Sequence, residues 1–290
     1  MARMKFLYSV VANRITNPDR ICPYCGNRDT RLLQRKYFFL ELRCCGKCKL
    51  MYRYPKDQAE KSREFYQNTY REGMTTELPD QSELERLLES NFINTEKDFS
   101  ERIDLVRRFS RGPNLLDYGC SWGYGLYQFR KAGFNAIGFE ISEQRARYGR
   151  KKLGMQIISD LQGLEVLRPA SFDVVFSDHV LEHLPTPRIA FEVFDRLLTE
   201  EGTLLIFVPN CGGVNATRYG VGWGPMIGEK HALALTAKFF AKALQHFNMT
   251  AWFFSSPYSG GSLSPGCTDE ELSGDELMVI AKRRGQKLQS

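Results

Sequence analysis

No apolar run in this chain reaches the ~18 residues that a membrane-crossing helix needs. The patch from Phe6 to Ala12 is too short and too poorly flanked for a secretory leader, so a cytoplasmic location is expected. Charge of neither sign dominates, with a net charge of +6 over 290 residues. So mild an excess permits contact with anions without demanding it, and solvated basic surface is the plainer reading. No internal repeat is apparent, which excludes a repeat architecture. Histidine is scarce: only His179, His183, His231 and His246 are available for imidazole chemistry. The length suits one core domain and a smaller appendage.

What is present centres on residues 115–125, Leu-Leu-Asp-Tyr-Gly-Cys-Ser-Trp-Gly-Tyr-Gly. The pattern reads as a short apolar strand ending in Asp117, a glycine turn, then a helix. Glycine reaches positive φ cheaply and lets a ligand approach bare backbone. The helix start offers unpaired N–H groups to a carboxylate or phosphate. Spacing then discriminates among nucleotides. A dinucleotide fingerprint from Gly119 would need glycine at positions 121 and 124, where Ser121 and Tyr124 stand. A phosphate loop would need Gly-Lys-Ser/Thr, and the lysine is missing.

The remaining pattern, Asp-x-Gly-x-x-x-Gly-x-Gly, resembles the first motif of the class I S-adenosylmethionine-dependent methyltransferases. Further stretches extend the resemblance over roughly residues 112–285. Phe134 to Glu140 reads as a second strand ending in an acid, at the distance suited to ribose hydroxyls. Met155 to Asp160 is similar to the third strand, Ser171 to Ser177 to the fourth, and Gly202 to Asn210 to the fifth and the loop beyond it. His179-Val180-Leu181-Glu182-His183-Leu184-Pro185 resembles the stretch that follows the fourth strand. Ser121 departs from the glycine that many members carry. The resemblance implies an α/β fold with a doubly wound, seven-stranded, mostly parallel sheet in the order 3-2-1-4-5-7-6.

It also implies roles. Asp117 and the backbone around Gly119, Ser121 and Gly123 would hold the methionine portion of S-adenosylmethionine. Glu140 would accept both ribose hydroxyls, Asp160 would reach the adenine amino group, and His179 would border the cofactor. Tyr118 and Trp122 would offer aromatic surface, with core packing the alternative for at least one of them.

Five of the eight cysteines lie between residues 22 and 48. Cys22-Pro23-Tyr24-Cys25 and Cys45-Gly46-Lys47-Cys48 are two Cys-x-x-Cys pairs separated by a β-rich segment, Thr30 to Arg43, and fit a zinc ribbon. Cys22, Cys25, Cys45 and Cys48 are the expected ligands of a structural Zn2+, with Cys44 an alternative to Cys45. Four thiolates would close the coordination sphere, which excludes a catalytic zinc. Cys120, Cys211 and Cys267 are scattered and expected to be unpaired.

The expected layout is therefore a tail over 1–20, the ribbon over 21–55, a helical linker over 56–111 and the methyltransferase domain over 112–285. Within the linker, Phe65, Tyr66 and Tyr70 suggest an aromatic seam that family resemblance would place over the cofactor cleft. Leu84, Leu87 and Leu88, then Ile103, Val106 and Phe109, read as amphipathic helix faces. Leu244 to Phe254 should run from helix into strand, Ser255 to Gly274 should be a loop, and Asp275 to Lys282 a closing strand.

An oxygen acceptor usually needs a general base, and His183 or His231 is the candidate near neutrality. His246, in a helix-like run, is expected only to pack. His179-x-x-Glu182-His183 also fits an inverted zinc-protease pattern, but that pattern needs a long helix and Pro185 interrupts this one. The expected function is methyl transfer from S-adenosylmethionine to a small-molecule or glycan acceptor, at oxygen. The alternatives are RNA base methylation, with Arg28, Arg31, Arg35, Lys36, Arg43, Lys47 and Lys49 as phosphate contacts, and cofactor binding without catalysis.

Overall fold

The computed structural model describes residues 10, 13–15, 19–56, 77–258 and 272–288. Phe65, Tyr66, Tyr70 and Cys267, with most of the Ser255–Gly274 loop, lie outside the described residues. The described chain opens with strands β1 (Thr30–Lys36), β2 (Leu40–Cys45) and β3 (Met51–Tyr54), then helices α1 (Gln81–Glu89) and α2 (Ser100–Phe109). Strand β4 (Asn114–Tyr118), α3 (Tyr124–Lys131), β5 (Asn135–Phe139), α4 (Glu143–Tyr148), β6 (Ile157–Ile158), α5 (Leu161–Glu165) and β7 (Phe172–Asp178) alternate next. The remainder is α6 (Pro187–Leu197), β8 (Leu198–Pro209), α7 (Val214–Tyr219), β9 (Leu233–Ala234), α8 (Ala237–His246), β10 (Met249–Ser255) and β11 (Glu276–Arg283).

Alternating strand and helix favours a parallel sheet covered on both faces, which requires continuous apolar strands. β4 and β7 meet that requirement, with Leu115, Leu116, Val174, Val175 and Phe176 fully buried. β4 pairs in parallel with β5 and β7, and β5 with β6. The sheet order is β10-β11-β8-β7-β4-β5-β6. From the β6 edge the strands are thus third, second, first, fourth, fifth, seventh and sixth in sequence, as the resemblance implies. β10 and β11 are the antiparallel pair at the other edge.

By packing, the chain divides into two compact units. One holds Met1–Ser62, His179–Glu192 and Ile206–Gln286; the other holds Arg63–Asp178, Val193–Leu205 and Lys287–Ser290. In the second unit, Ile103, Val106 and Phe109 are buried along α2, the face their spacing predicted. α1 is started by the Asp80 side chain, which accepts from Glu83 N–H at 2.8 Å. It buries Leu84 and Leu87 in a cluster with Phe92, Trp122 and Leu153. In the first unit, the Cys-rich strands form a four-stranded sheet in the order β1-β2-β3-β9. The fourth strand arrives from far along the chain, Met51 pairing with Ala234 and Tyr52 with Leu233. Tyr24, from the first Cys-x-x-Cys turn, packs edge-on against Phe191 and Phe239 at 5.6 and 5.2 Å between ring centres.

Candidate active site

The turn after β4 is built from left-handed residues: Gly119, Ser121 and Gly123 have φ of 92°, 52° and 86°. Ser121 accepts the conformation that glycine takes without penalty, and its backbone N–H is held by Glu140 Oε2 at 3.0 Å. Gly123 caps α3 with no side-chain hydrogen bond, leaving the first-turn N–H groups free of a side-chain cap. A Cβ on Gly125 would lie 2.4 Å from the Phe99 ring, so only glycine lets α3 pack this close.

Glu140 is buried at the end of β5. Its Oε1 accepts from Ser142 N–H at 2.7 Å and its Oε2 from Ser121 N–H, so each oxygen is anchored by one donor and keeps a lone pair for another. Asp117 is buried at the end of β4. Burial, then the Asp178 and Glu140 carboxylates, push the Asp117 carboxyl well above its ordinary value. Burial raises Glu140 too. Arg102 pairs with Asp178 at 3.0 Å. A buried acid raised by its carboxylate neighbours favours a cationic occupant, and S-adenosylmethionine carries a sulfonium and an ammonium. Among the described residues the buried Ser121 hydroxyl has no hydrogen-bond partner, a further group suited to a polar ligand.

The other expected residues fall as follows. Asp160 starts α5 by accepting from Gly163 N–H at 2.7 Å. Trp122 is fully buried against Phe92, Tyr124 and Tyr148, and its Nε1 lacks a partner among the described residues. Tyr118 packs between Phe139 and Phe194 at about 5 Å from each. Both side chains pack in the core, the use expected for at least one of them.

In the first unit, the sulfur atoms of Cys22, Cys25, Cys45 and Cys48 all lie within 4.8 Å of one another. Two matching turns bring them together: Gly26 N–H donates to Cys22 O at 3.0 Å, and Lys49 N–H to Cys45 O at 3.1 Å. Cys44 is excluded, its Sγ facing the carbonyls of Cys45 and Lys49. Among the described residues no cysteine is in a disulfide. The thiols hold one another apart in acidity. Cys22 is lowered to about 6, chiefly by its contact with Cys48, and the same contact raises Cys48. Four converging sulfurs of tetrahedral number fit a zinc ion.

His179 follows β7 with φ of 52°. Its Nδ1 faces Glu182 Oε1 at 3.1 Å and its Nε2 faces Glu276 Oε1 at 2.6 Å. Leu181–His183 is a single short turn, not the long helix of an inverted zinc protease. His183 and His231, far apart in sequence, meet with ring centres 4.8 Å apart. His183 Nδ1 donates to Lys230 O at 2.9 Å and His231 Nδ1 to Pro225 O at 2.7 Å. With Nδ1 donating to a carbonyl, the Nε2 of each neutral ring is the proton acceptor. Glu182 is 1 % exposed, and its Oε1 lies 3.9 Å from His183 Nε2. Burial and the neighbouring His183 lower the His231 pKa. His246 instead contacts Arg188 and Phe247.

Residues 116–206 match the family described as methyltransferase domain. Over these residues the chain carries a methyltransferase domain. This domain is similar to the ubiquinone biosynthesis O-methyltransferase of Idiomarina loihiensis, 28% identical over 41% of this chain and 54% of that protein. It is also similar to a probable fatty acid methyltransferase of Mycobacterium tuberculosis, 29% identical over 29% of this chain and 21% of that protein. The chain thus spans about half the length of the first relative and about a fifth of the second. Among solved structures, a methyltransferase from Archaeoglobus fulgidus is 17% identical with a TM-score of 0.46, covering 68% of this chain and 99% of that one.

One residue escaped the sequence reading. Arg102, the partner of Asp178, stands 76 positions from it and carries no motif. Glu182 was visible in Leu-Glu-His, but its burial beside both histidines depends on a loop 50 residues downstream.

Proposed function

We propose that the chain is an O-methyltransferase that moves a methyl group from S-adenosylmethionine to a hydroxyl of a small-molecule or glycan acceptor. The observation that carries this reading is the His183–His231 pair, two imidazoles whose Nδ1 atoms are committed to carbonyls and whose Nε2 atoms are left as bases. When bound, S-adenosylmethionine supplies a methyl carbon on a sulfonium, open to in-line attack. Asp117 and the turn at Gly119, Ser121 and Gly123 hold the methionine portion. Glu140 takes the ribose hydroxyls on its two remaining lone pairs, while Asp160 faces the adenine and His179 borders the cofactor. Trp122 fixes the turn by packing beneath it. Such positioning is worth about 7–11 kcal/mol of the barrier. His231, or His183 beside it, takes the proton from the acceptor hydroxyl. Cys22, Cys25, Cys45 and Cys48 hold a structural zinc, whose binding stabilises a module too small for a core of its own. The layout of tail 1–20, ribbon 21–55, linker 56–111 and catalytic domain 112–285 is part of the same reading.

The relative named for O-methylation in ubiquinone biosynthesis is consistent with oxygen as the acceptor atom. RNA is the weaker reading, because three of the seven basic residues it would use are spent internally. Lys36 donates to Ile227 O, Lys49 to Gly46 O, and Arg43 to Glu41 and Thr30. The test is transfer of labelled methyl to fractionated cell extract, with small-molecule, glycan and RNA pools counted separately. Label in the small-molecule or glycan pool, lost in His231→Asn, is the expected result. Label in RNA alone, or binding without transfer to any pool, would overturn the reading.

A further inference from the structure

Arg53 on β3 is buried to 2 % exposure in a module that the chemistry above uses only for its cysteines. A buried guanidinium is retained only where acceptors satisfy it. Among the described residues, two of its acceptors belong to the loop that carries His231. Arg53 Nη1 donates to Gly228 O and, at 3.4 Å, to Glu229 O, while Arg53 N–H donates to Ala232 O at 2.8 Å. These contacts bracket His231 on both sides. The loop is also closed on itself, Gly228 N–H donating to His231 O at 3.1 Å. Its carbonyls set both imidazoles, Pro225 O receiving His231 Nδ1 and Lys230 O receiving His183 Nδ1. β1 adds a second tie through Lys36 Nζ, which donates to Ile227 O at 2.8 Å. Pairing of β3 with β9 anchors the far end.

We propose that Arg53 is a positioning residue, clamping the Gly228–Ala232 loop so that His231 and His183 are held in register, and that the Cys-rich module is therefore a strut for these imidazoles. The proposal rests on the reading of His231 and His183 as proton acceptors. It goes further by giving the module a task at the same site. No short side chain replaces the clamp. Methionine matches the bulk of arginine but donates nothing, leaving two carbonyls without their partner, whereas lysine keeps the charge and can reach one. With the clamp lost, the loop relaxes and water reaches the His231 ring. The groups facing that ring are His183, Glu182, His179 and the Pro225 carbonyl, with Glu229 and Lys230 flanking it in the chain.

The test follows the histidine ring resonances of the full, zinc-replete chain against pH by NMR, with His231 assigned through His231→Asn. In the wild type His231 should titrate below an ordinary histidine, ~6.5. Arg53→Met should move it up toward that value, and Arg53→Lys should move it part of the way. His246, outside the clamp, should stay where it is, and calorimetric affinity for S-adenosylmethionine should be unchanged. If Arg53→Met does not fold, Arg53→Lys carries the test, and its partial rise is still required. An unmoved His231 in a folded variant overturns the proposal, and so does an equal shift at His246, which would mark general loosening. Ring titration needs no methyl transfer, so its failure is distinct from failure of the acceptor assay.

Discussion

On the proposed reading, Asp117 and Glu140 tie the fold to the cofactor through charge. Both carboxyls are raised by burial, Asp117 well above its ordinary 3.8. A carboxyl whose folded value lies above its unfolded one favours the folded state at low pH, and that contribution is lost as pH rises through the folded value. A cation among the ionised acids reverses the loss. Thermal stabilisation by S-adenosylmethionine should therefore grow from about pH 5 to about pH 8. The demethylated product, lacking the sulfonium charge, should show a smaller increase. Equal stabilisation at both pH values would contradict the charge argument. His231 works in the opposite sense. Burial lowers its pKa, so the ring is neutral and able to accept a proton near neutrality, and transfer should fall as pH drops through that lowered value. His231→Asn should slow single-turnover transfer by about 10²–10⁴-fold, the usual weight of a general base, with cofactor binding intact. A mutant that transfers at the wild-type rate would remove His231 from the mechanism.

At the scale of elements, local patterns were legible and distant partners were not. The strand–turn–helix of residues 115–125, the amphipathic faces of α1 and α2, and the hairpin between the two Cys pairs all follow from short-range periodicity. Cys45 rather than Cys44 joins the cluster for a reason sequence spacing does not hold. Adjacent residues on β2 point to opposite faces, and pairing register decides which faces inward. The β3–β9 pairing joins residues about 180 positions apart, beyond any periodicity signal. The burial of Trp122 likewise depends on Leu84, Leu87, Phe92 and Leu153, which no window contains together. Truncating that indole, Trp122→Ala, should cost about 3–5 kcal/mol in urea unfolding. The hairpin tip gives a contrary case. Tyr37 and Phe38 have φ of 53° and 63°, a conformation suited to glycine, and Phe38 is 95 % exposed. Phe38→Gly removes backbone strain and loses no packing, so it should stabilise the Cys-rich module by about 1 kcal/mol. Destabilisation on denaturant unfolding would show that the ring has a partner.

For the whole molecule, the sheet order followed from the family resemblance that five ordered motifs carried, and not from periodicity. The acceptor was not legible, because the two imidazoles proposed to face it, His183 and His231, meet only in the fold. The account stands on the glycine turn after Asp117, with Glu140 beyond it, being a receptor for a sulfonium nucleoside. Isothermal calorimetry on the full, zinc-replete chain tests this most directly. S-adenosylmethionine and its demethylated product should both bind, and Glu140→Ala should weaken them by about 10–100-fold, the loss of charge-assisted hydrogen bonds to the ribose. Absence of heat with either compound, while NAD or ATP binds the same protein, would contradict the account.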